Sequence, residues 1–269
     1  GQRKLEQVIR KRIGAMIAEL QASPRSGGER VRRVVVVGNT VMHHLFCGIE
    51  LEPLAHSPFE PARDGLEVFE ARDFGWEEVC DASVCFLPCL GGFVGSDILA
   101  GVLATGMHES EALVGLIDLG TNGEIVMGNR ERMLCASTAA GPAFEGGRIS
   151  MGMRAATGAI TGVDIDDGRV RCRVLGNVPP RGICGSGLVA AAAAGLELGV
   201  IRSSGRLAGG QREWMLCPPV ILKQQDIREL QLAKAAIAAG VRILLDRWGA
   251  ALADVARLYL AGAFGNYIN

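Results

Sequence analysis

Asp118-Leu119-Gly120-Thr121-Asn122-Gly123-Glu124 carries most of the information about the architecture of this chain. The heptapeptide begins within the last two residues of an apolar, strand-like run from residue 113 to residue 119. A second strand-like run, Glu124–Met127, begins at its last residue. Two such runs around an Asn-Gly pair predict a β-hairpin with Asn122 and Gly123 at its tip.

The turn of this hairpin and the aspartate before it have the chemistry of a phosphate site. A Gly-Thr turn exposes consecutive backbone N–H groups and a hydroxyl, which can surround phosphate oxygens. Asp118 ends the buried strand, and its carboxylate can hold Mg²⁺ directly or through water. A plain hairpin turn is the alternative interpretation of these residues taken alone.

Strands and helices alternate on both sides of the hairpin, which indicates an α/β fold. An amphipathic helix is predicted from Leu5 to Leu20, and a long helix from Gln225 to Trp248. Val31–Val37 is predicted to be a buried strand of a parallel sheet, because it is a short β-branched run. Further strands are predicted at residues 84–87, 133–137, 159–174 (a hairpin) and 257–260.

Several of these strands end in glycine-rich turns. Gly262-Ala263-Phe264-Gly265-Asn266 follows the last strand, and small residues there let a flat ring approach the backbone. Gly182–Gly187 opens a helix and makes Gly185 a candidate anion contact. Asp97 closes a Gly91–Asp97 turn, where its carboxylate is either functional or a helix N-cap.

Composition excludes several classes of function. The chain has 269 residues, 49% of them hydrophobic, with 37 glycines and a net charge of −1. This balance gives no general attraction to nucleic acid or to acidic membranes. No uncharged apolar run reaches the ~18 residues that a membrane span needs, and the N-terminus is not a signal peptide.

The cysteines and histidines are interpreted as structural. Eight cysteines without a CxxC pair favour a reducing cytoplasm over a disulfide framework. Cys80, Cys85 and Cys89 have a C-x4-C-x3-C spacing, which leaves a metal cluster as the alternative to small buried side chains. His43 and His44 are adjacent and cannot share a helical face, so they make a poor metal pair. There is no GxGxxG, Walker or GxSxG sequence.

Six segments together resemble a known family: GNTVMHHLFCGI, LPCLGGFVGSDILAG, DLGTNGEIVMGN, STAAGPAFEGGRISMGMRA, GICGSGL and YLAGAFGNYI. In this order they are similar to the C-terminal domain of the ATP-dependent reductive activators of corrinoid proteins. That domain belongs to the superfamily of acetate and sugar kinases, Hsp70 and actin. The resemblance covers the chain from about Leu5 to Asn269, and it implies RNase H-like lobes with ATP in the cleft.

The resemblance also implies roles for individual residues. Asp118 is expected to be a catalytic residue and to hold Mg²⁺. The second phosphate hairpin is expected to be formed by Gly120, Thr121, Asn122 and Gly123. Gly262, Ala263 and Gly265 match the adenosine motif. Asp97 lies where related sugar kinases carry a catalytic aspartate. Members of the family restore Co(I) in a corrinoid protein, their partner, by passing one electron uphill from a [2Fe–2S] domain.

The chain departs from the family pattern at both ends. No four-cysteine ferredoxin loop and no first-lobe Asp-Gly-Thr hairpin are found. Residues 1–96 are therefore expected to be part of the first lobe, and residues 97–269 to be the second lobe, truncated after the adenosine motif. A homodimer, and ATP hydrolysis by this chain alone, are left open. The alternatives are a small-molecule kinase of the same superfamily and a non-catalytic remnant that binds a partner.

Overall fold

The computed structural model of the chain describes residues 1–23, 27 and 29–262. The chain divides into two compact units, Gly1–Gly106 and Met107–Asn269. Within the described residues, no helix combines the length and the apolar composition that crossing a bilayer requires.

The first unit is built on a three-stranded sheet in the order β1-β3-β2. Strand β1 runs parallel to β3, and β2 runs antiparallel to it. The strands are β1 (Arg33–Val36), β2 (Glu67–Glu70) and β3 (Ser83–Phe86), the helices are α1 (Gln2–Ala22), α2 (Thr40–Cys47), α3 (Glu52–Ala55) and α4 (Ser96–Thr105), and 3-10 turns lie at Ala71–Phe74 and Glu77–Val79.

One face of this sheet carries an aromatic core. Phe46, Trp76 and Phe86 are each at most 4% exposed. Helix α1 approaches the core through Gly14, because a Cβ at this position would overlap the Trp76 ring. The Trp76 indole then donates a hydrogen bond to the carbonyl of Arg10 at 3.0 Å. Glycine in α1 is thus explained by helix packing.

The prediction for the first strand was only partly right. Strand β1 is parallel to its neighbour, as expected, but it is not buried. Its residues alternate in exposure, and Val35 is 54% exposed, because only the face of Val34 and Val36 packs on the aromatic core. A β-branched run therefore forms here a half-exposed strand at the edge of the described sheet.

Two turns at the carboxyl ends of β1 and β3 pack against each other. The Ser96 hydroxyl lies 3.2 Å from both the N–H and the carbonyl oxygen of Gly38. A Cβ at Gly95 would overlap the Gly38 carbonyl, so the two backbones touch. Thr40 donates its hydroxyl hydrogen to the Gly91 carbonyl at 2.6 Å. Packing between the turns therefore accounts for Gly95, whereas a Cβ at Gly91 would meet nothing within 4 Å.

His43 and His44 are fully buried in this unit. The His43 Nε2–H donates to the Gly65 carbonyl at 3.1 Å, and the His44 Nδ1–H donates to the Thr40 carbonyl at 3.0 Å. Their other ring nitrogens have no hydrogen-bond partner among the described residues. Burial lowers the pKa of both histidines, although the carboxylates of Asp64 and Glu67 act in the opposite direction on His43. Both side chains are therefore neutral structural groups at neutral pH.

We expect this histidine pair to make the first unit sensitive to acid. In the unfolded chain a histidine has a pKa of about 6.5, whereas in the folded unit it is lower. The unfolded state therefore binds more protons, and stability falls as the pH drops below ~6.5, by at most ~1.4 kcal/mol per pH unit for each histidine. Urea unfolding of His44→Gln between pH 7.5 and 5.5 should show a weaker pH dependence than wild type. His56→Gln, at an exposed histidine, is the control, and equal slopes for all three proteins would contradict the prediction.

The second unit contains a four-stranded sheet in the order β12-β4-β5-β6. Strand β12 runs parallel to β4, and the β4-β5-β6 pairs are antiparallel. A three-stranded sheet, β8-β7-β9, and a hairpin, β10-β11, complete the strands. The bounds are β4 (Val114–Leu119), β5 (Gly123–Gly128), β6 (Met133–Thr138), β7 (Ala159–Asp166), β8 (Arg169–Val174), β9 (Gly182–Ile183), β10 (Glu213–Cys217), β11 (Val220–Lys223), β12 (Arg257–Ala261), α5 (Gly185–Glu197) and α6 (Gln224–Trp248), with 3-10 turns at Met107–Glu109, Pro142–Glu145, Ala208–Gly210 and Leu252–Asp254.

Helix α6 packs across the β5-β6 hairpin. A Cβ at Gly240 would lie 2.6 Å from side-chain atoms of Ile125 and Thr138, and a Cβ at Gly123 would lie 3.0 Å from Ile237. The helix ends at Gly249, whose φ of +83° suits glycine. The predicted hairpin at 118–124, the hairpin at 159–174, the last strand and this long helix are all confirmed.

Candidate functional site

The turn between β4 and β5 is the predicted phosphate site. Asp118 pairs with Glu124, and Leu119 pairs with Gly123, so the turn consists of the three residues from Gly120 to Asn122. The Gly120 N–H donates to the Asn122 carbonyl at 3.0 Å. Thr121 and Asn122 are exposed. The predicted Asn-Gly tip is thus shifted by one residue, because Gly123 already belongs to β5.

The two glycines of the hairpin differ in what they contact. A Cβ at Gly123 would lie 2.9 Å from the Thr138 hydroxyl and would press on Ile237 of α6. A Cβ at Gly120 would meet only the Asn122 carbonyl, at 3.5 Å. Packing therefore accounts for Gly123, whereas the space beside Gly120 is open. Open space next to an exposed turn is what a bound phosphate would need.

Glu145 lies at this site, although no local sequence pattern predicts it there. The Thr121 hydroxyl donates a hydrogen bond to Glu145 Oε1 at 2.7 Å. In addition, the Gly141 N–H donates to the Thr121 carbonyl at 2.9 Å. A second carboxylate therefore stands beside the exposed hydroxyl of the turn. The segment GPAFEGG belongs to the family resemblance, but Glu145 lies 24 positions after Thr121, so no local pattern indicates the contact.

Glycine packing fixes the segment that carries Glu145. Gly141 and Gly146 have φ angles of +80° and +78° on either side of the 3-10 turn Pro142–Glu145. A Cβ at Gly147 would lie 2.7 Å from the Pro142 ring, and a Cβ at Gly152 would overlap the Gly146 carbonyl. Because these backbones are in direct contact, Glu145 is held next to the hairpin by a well-defined loop.

The end of β12 brings a further glycine to Asp118. Ala261 pairs with Asp118 in the parallel ladder between β12 and β4. Gly262 follows with a φ of +81°, and a Cβ there would lie 2.6 Å from Asp118 Oδ1 and 2.9 Å from the Leu119 carbonyl. The first residue of the predicted adenosine motif thus lies against the predicted Mg²⁺ ligand. Ala263 and Gly265, the other two residues of that motif, lie outside the described residues.

The oxygen atoms of this site suit Mg²⁺ carried by a nucleotide. Asp118, Glu145 and the Thr121 hydroxyl are hard oxygen donors, which Mg²⁺ prefers. The described residues contain no group of three or more His, Cys, Asp or Glu side chains arranged to hold a metal. Mg²⁺ in nucleotide sites commonly needs only one or two carboxylates, because phosphates and waters complete its shell. The hairpin therefore fits Mg²⁺ bound together with phosphate.

Asp97 and Gly185 lie on other elements. Asp97 belongs to the first unit and is the second residue of α4, whose N-cap is Gly95, so the N-cap interpretation is wrong. Its Oδ1 accepts a hydrogen bond from the Ile98 N–H at 2.9 Å, in the first helical turn, where a carboxylate is favoured. Gly185 is the buried first residue of α5, and its neighbour Ser186 donates to the Thr161 carbonyl of β7 at 2.9 Å.

The three clustered cysteines have different environments. Cys80 is exposed, Cys85 is half-buried, and Cys89 is buried, all as free thiols. Burial raises the pKa of the Cys89 thiol, which opposes formation of the thiolate that a metal would require. No metal-holding group includes any of them within the described part of the chain.

Two family models match the chain. The first is described as the C-terminal domain of RACo, the ASKHA domain, and matches residues 112–269. The second is described as the RACo middle region and matches residues 1–110.

Two curated relatives and one solved structure are similar to most of this chain. The chain is 33% identical to the "Corrinoid activation enzyme RamQ" of Eubacterium limosum, over 99% of this chain and 49% of the relative. It is 28% identical to the "[Co(II) methylated amine-specific corrinoid protein] reductase" of Methanosarcina barkeri, over 89% and 50%. The structure of a "Reductive activator for corrinoid,iron-sulfur protein" matches with a TM-score of 0.80 and 35% identity, over 98% of this chain and 46% of the other. The chain therefore spans about half the length of the relatives it matches.

Proposed function

The chain belongs to the RACo family and has the α/β fold of the actin-like ATPases, and from this premise we propose that it is the nucleotide-binding part of a reductive activator of a corrinoid protein. In the whole activator, ATP would drive one electron from an iron–sulfur domain onto Co(II) of the partner and so restore Co(I). The curated relatives that carry names of this kind are about twice as long as this chain.

One observation supports nucleotide binding more than any other. A phosphate-type hairpin and the first glycine of an adenosine-type motif meet at a single carboxylate, Asp118. In the proposed complex Asp118 holds Mg²⁺, and the exposed Thr121 and Asn122 meet phosphate oxygens over the open space at Gly120. Mg²⁺ would supply positive charge that offsets the charge of the phosphates.

The Thr121 hydroxyl has two competing uses in this proposal. Its hydrogen is donated to Glu145, so its lone pairs remain available to a metal ion. Without that acceptor, the hydroxyl could instead donate to a phosphate. Glu145 therefore sets the direction of the Thr121 hydroxyl and adds negative charge beside the proposed Mg²⁺.

ATP would act on the uphill electron transfer through linkage. Each ~59 mV of unfavourable one-electron potential costs a factor of ten in the equilibrium constant. A nucleotide that favours one conformation of the activator also favours the partner complex which that conformation binds. Mg²⁺, a corrinoid protein as partner, a homodimer and a cytoplasmic location all belong to this proposal for the whole protein.

Three further assignments stay proposals. They are a catalytic role for Asp97, a nucleotide contact at Gly185, and the division of the chain into a partial lobe at 1–96 and a second lobe at 97–269. Each has its origin in the resemblance or in local glycine patterns, and each depends on the nucleotide complex of the whole activator.

Calorimetric titration of ATP into the full-length activator and into this chain tests the proposal. With Mg²⁺, we expect the full-length protein to bind ATP, and removal of Mg²⁺ with a chelator should weaken binding by about tenfold or more, or ~1.4 kcal/mol. The same titration of this chain alone shows whether its 269 residues are sufficient for ATP binding. Lack of ATP binding by the full-length protein in the presence of Mg²⁺ would disprove the proposed function.

A further inference from the structure

A groove of about 420 Å³ lies between strand β7 and helix α5 in the second unit. None of its lining residues belongs to the proposed nucleotide site. Strand β7 contributes five consecutive residues, 161–165. Helix α5 contributes residues at spacings of three and four, which is one helical face. These are Ser186, Val189, Ala190, Ala193, Ala194 and Glu197.

The groove lies beside the part of β7 beyond Ile160, which pairs with no strand other than β8 among the described residues. On the side away from β8, strand β7 pairs only with the two-residue β9, at Ala159 and Ile160. The register of β7 then shifts at a bulge between Ile160 and Gly162. In the part of the chain that the structure describes, no strand pairs with this edge beyond Ile160. An open edge carries backbone donors and acceptors that can pair with a further strand.

Helix α5 starts on this same edge. The Cys184 N–H donates to the Ile160 carbonyl at 3.1 Å, and the Ser186 hydroxyl donates to the Thr161 carbonyl at 2.9 Å. The helical face between Ser186 and Glu197 carries alanines and one valine, whose small side chains leave room above the edge. At 1.5 Å per residue this face is about 16 Å long, the length of about five residues of extended chain.

The charges of the groove are asymmetric. Arg173 Nε lies 3.1 Å from Asp164 Oδ2, so these two charges offset each other. Glu197 is exposed, is the last residue of α5, and forms no ion pair among the described residues. The C-terminal end of a helix adds partial negative charge at this point. One end of the groove is thus acidic.

We propose that this groove binds an extended segment of a partner protein, which adds to the edge of β7 beyond Thr161 as a further strand. The segment has small or β-branched side chains facing α5 and a lysine or arginine facing Glu197. Backbone pairing provides the affinity, whereas the alanine face and Glu197 select the sequence. This docking surface does not depend on ATP binding by the hairpin.

The test uses a pool of fluorescein-labelled pentapeptides, capped at both ends, with valine and threonine varied at four positions and lysine fixed at the last. We expect the 269-residue chain to retain members of the pool, and amide hydrogens of residues 161–166 to exchange more slowly in the complex. Ala193→Phe fills the groove at an exposed position and should abolish binding. Leu196→Phe, on an exposed part of α5 outside the groove, is the matched control and should bind normally.

Glu197→Gln should weaken lysine peptides by a few-fold, about the effect of an exposed ion pair, and should not weaken peptides with glutamine at the last position. Failure of the pool to bind the wild-type chain, or equal binding by Ala193→Phe, overturns the proposal. Sedimentation of the chain without peptide tests whether a second copy of the chain occupies the groove instead. A dimer that forms in wild type but not in Ala193→Phe would assign the groove to a second copy and overturn the partner assignment.

Discussion

Asp118→Asn is expected to abolish Mg²⁺-dependent ATP binding while leaving the fold intact. Asparagine has the same shape, so the β4-β5 pairing and the contact with Gly262 can persist. It removes the negative charge that Mg²⁺ requires from its carboxylate ligand. We expect affinity for Mg-ATP in the full-length activator to fall at least ~100-fold, or ~2.7 kcal/mol.

Thermal unfolding with and without nucleotide measures this loss. At a concentration of Mg-ATP about 100 times its Kd, binding stabilises the wild-type protein by about 2.7 kcal/mol, and the Asp118→Asn variant should lose this increment. Asp246→Asn removes the same charge from an exposed position on α6 and is the control. If Asp118→Asn keeps the full nucleotide-induced stabilisation, Asp118 is not the Mg²⁺ ligand.

The second large effect is expected at Gly262, in comparison with Gly120. In Gly262→Ala the new Cβ meets Asp118 Oδ1 at 2.6 Å and the Leu119 carbonyl at 2.9 Å, at a φ of +81°. The unfavourable φ alone costs roughly 1–2 kcal/mol. The displaced carboxylate should also reduce Mg-ATP affinity by about tenfold or more, or ~1.4 kcal/mol. Gly262→Ala should therefore lower both stability and nucleotide binding.

Gly120→Ala is expected to change nucleotide affinity without changing stability. Its Cβ meets nothing nearer than the Asn122 carbonyl at 3.5 Å, so urea unfolding should change little. The methyl group would occupy the space assigned to phosphate, so Mg-ATP affinity should still fall. Unchanged affinity in Gly120→Ala would move the phosphate away from this turn. Unchanged stability in Gly262→Ala would show that β12 can shift away from Asp118.

The parts of the site that could be predicted are those with local determinants. An apolar run, an Asp-Leu-Gly-Thr turn and a second apolar run predict the hairpin without any other part of the chain. The family resemblance then links the Gly262 turn to the same ligand, and the parallel ladder pairs Ala261 with Asp118. Glu145 could not be predicted in this way, because its contact with Thr121 arises only after a glycine-packed loop folds back on the hairpin.

Glycine was the least specific signal in the sequence. Gly95, Gly123 and Gly187 occur in motifs that suggest ligands, yet a Cβ at each would overlap or press on neighbouring protein atoms. Only at Gly120 is the space open within the hairpin. The sequence does not distinguish a glycine required by packing from a glycine that leaves space for a ligand, because both positions need a residue without a side chain. The exposure of β1 could not be predicted from the sequence either, since β-branched residues suit buried and half-exposed strands alike.

The packing of α6 on the β5-β6 hairpin has a mechanical consequence. At 1.5 Å per residue the helix is about 37 Å long. It packs closely on the hairpin at two points, since a Cβ at Gly240 would lie 2.6 Å from Ile125 and a Cβ at Gly123 would lie 3.0 Å from Ile237. Because protein interiors are close-packed, we expect any movement of Gly123 toward α6 to displace Ile237 or the helix itself. Its far end carries the carbonyl of Trp248, which accepts a hydrogen bond from Arg132 at 3.1 Å, just before β6. We therefore expect a displacement of the turn to shift α6 together with the hairpin.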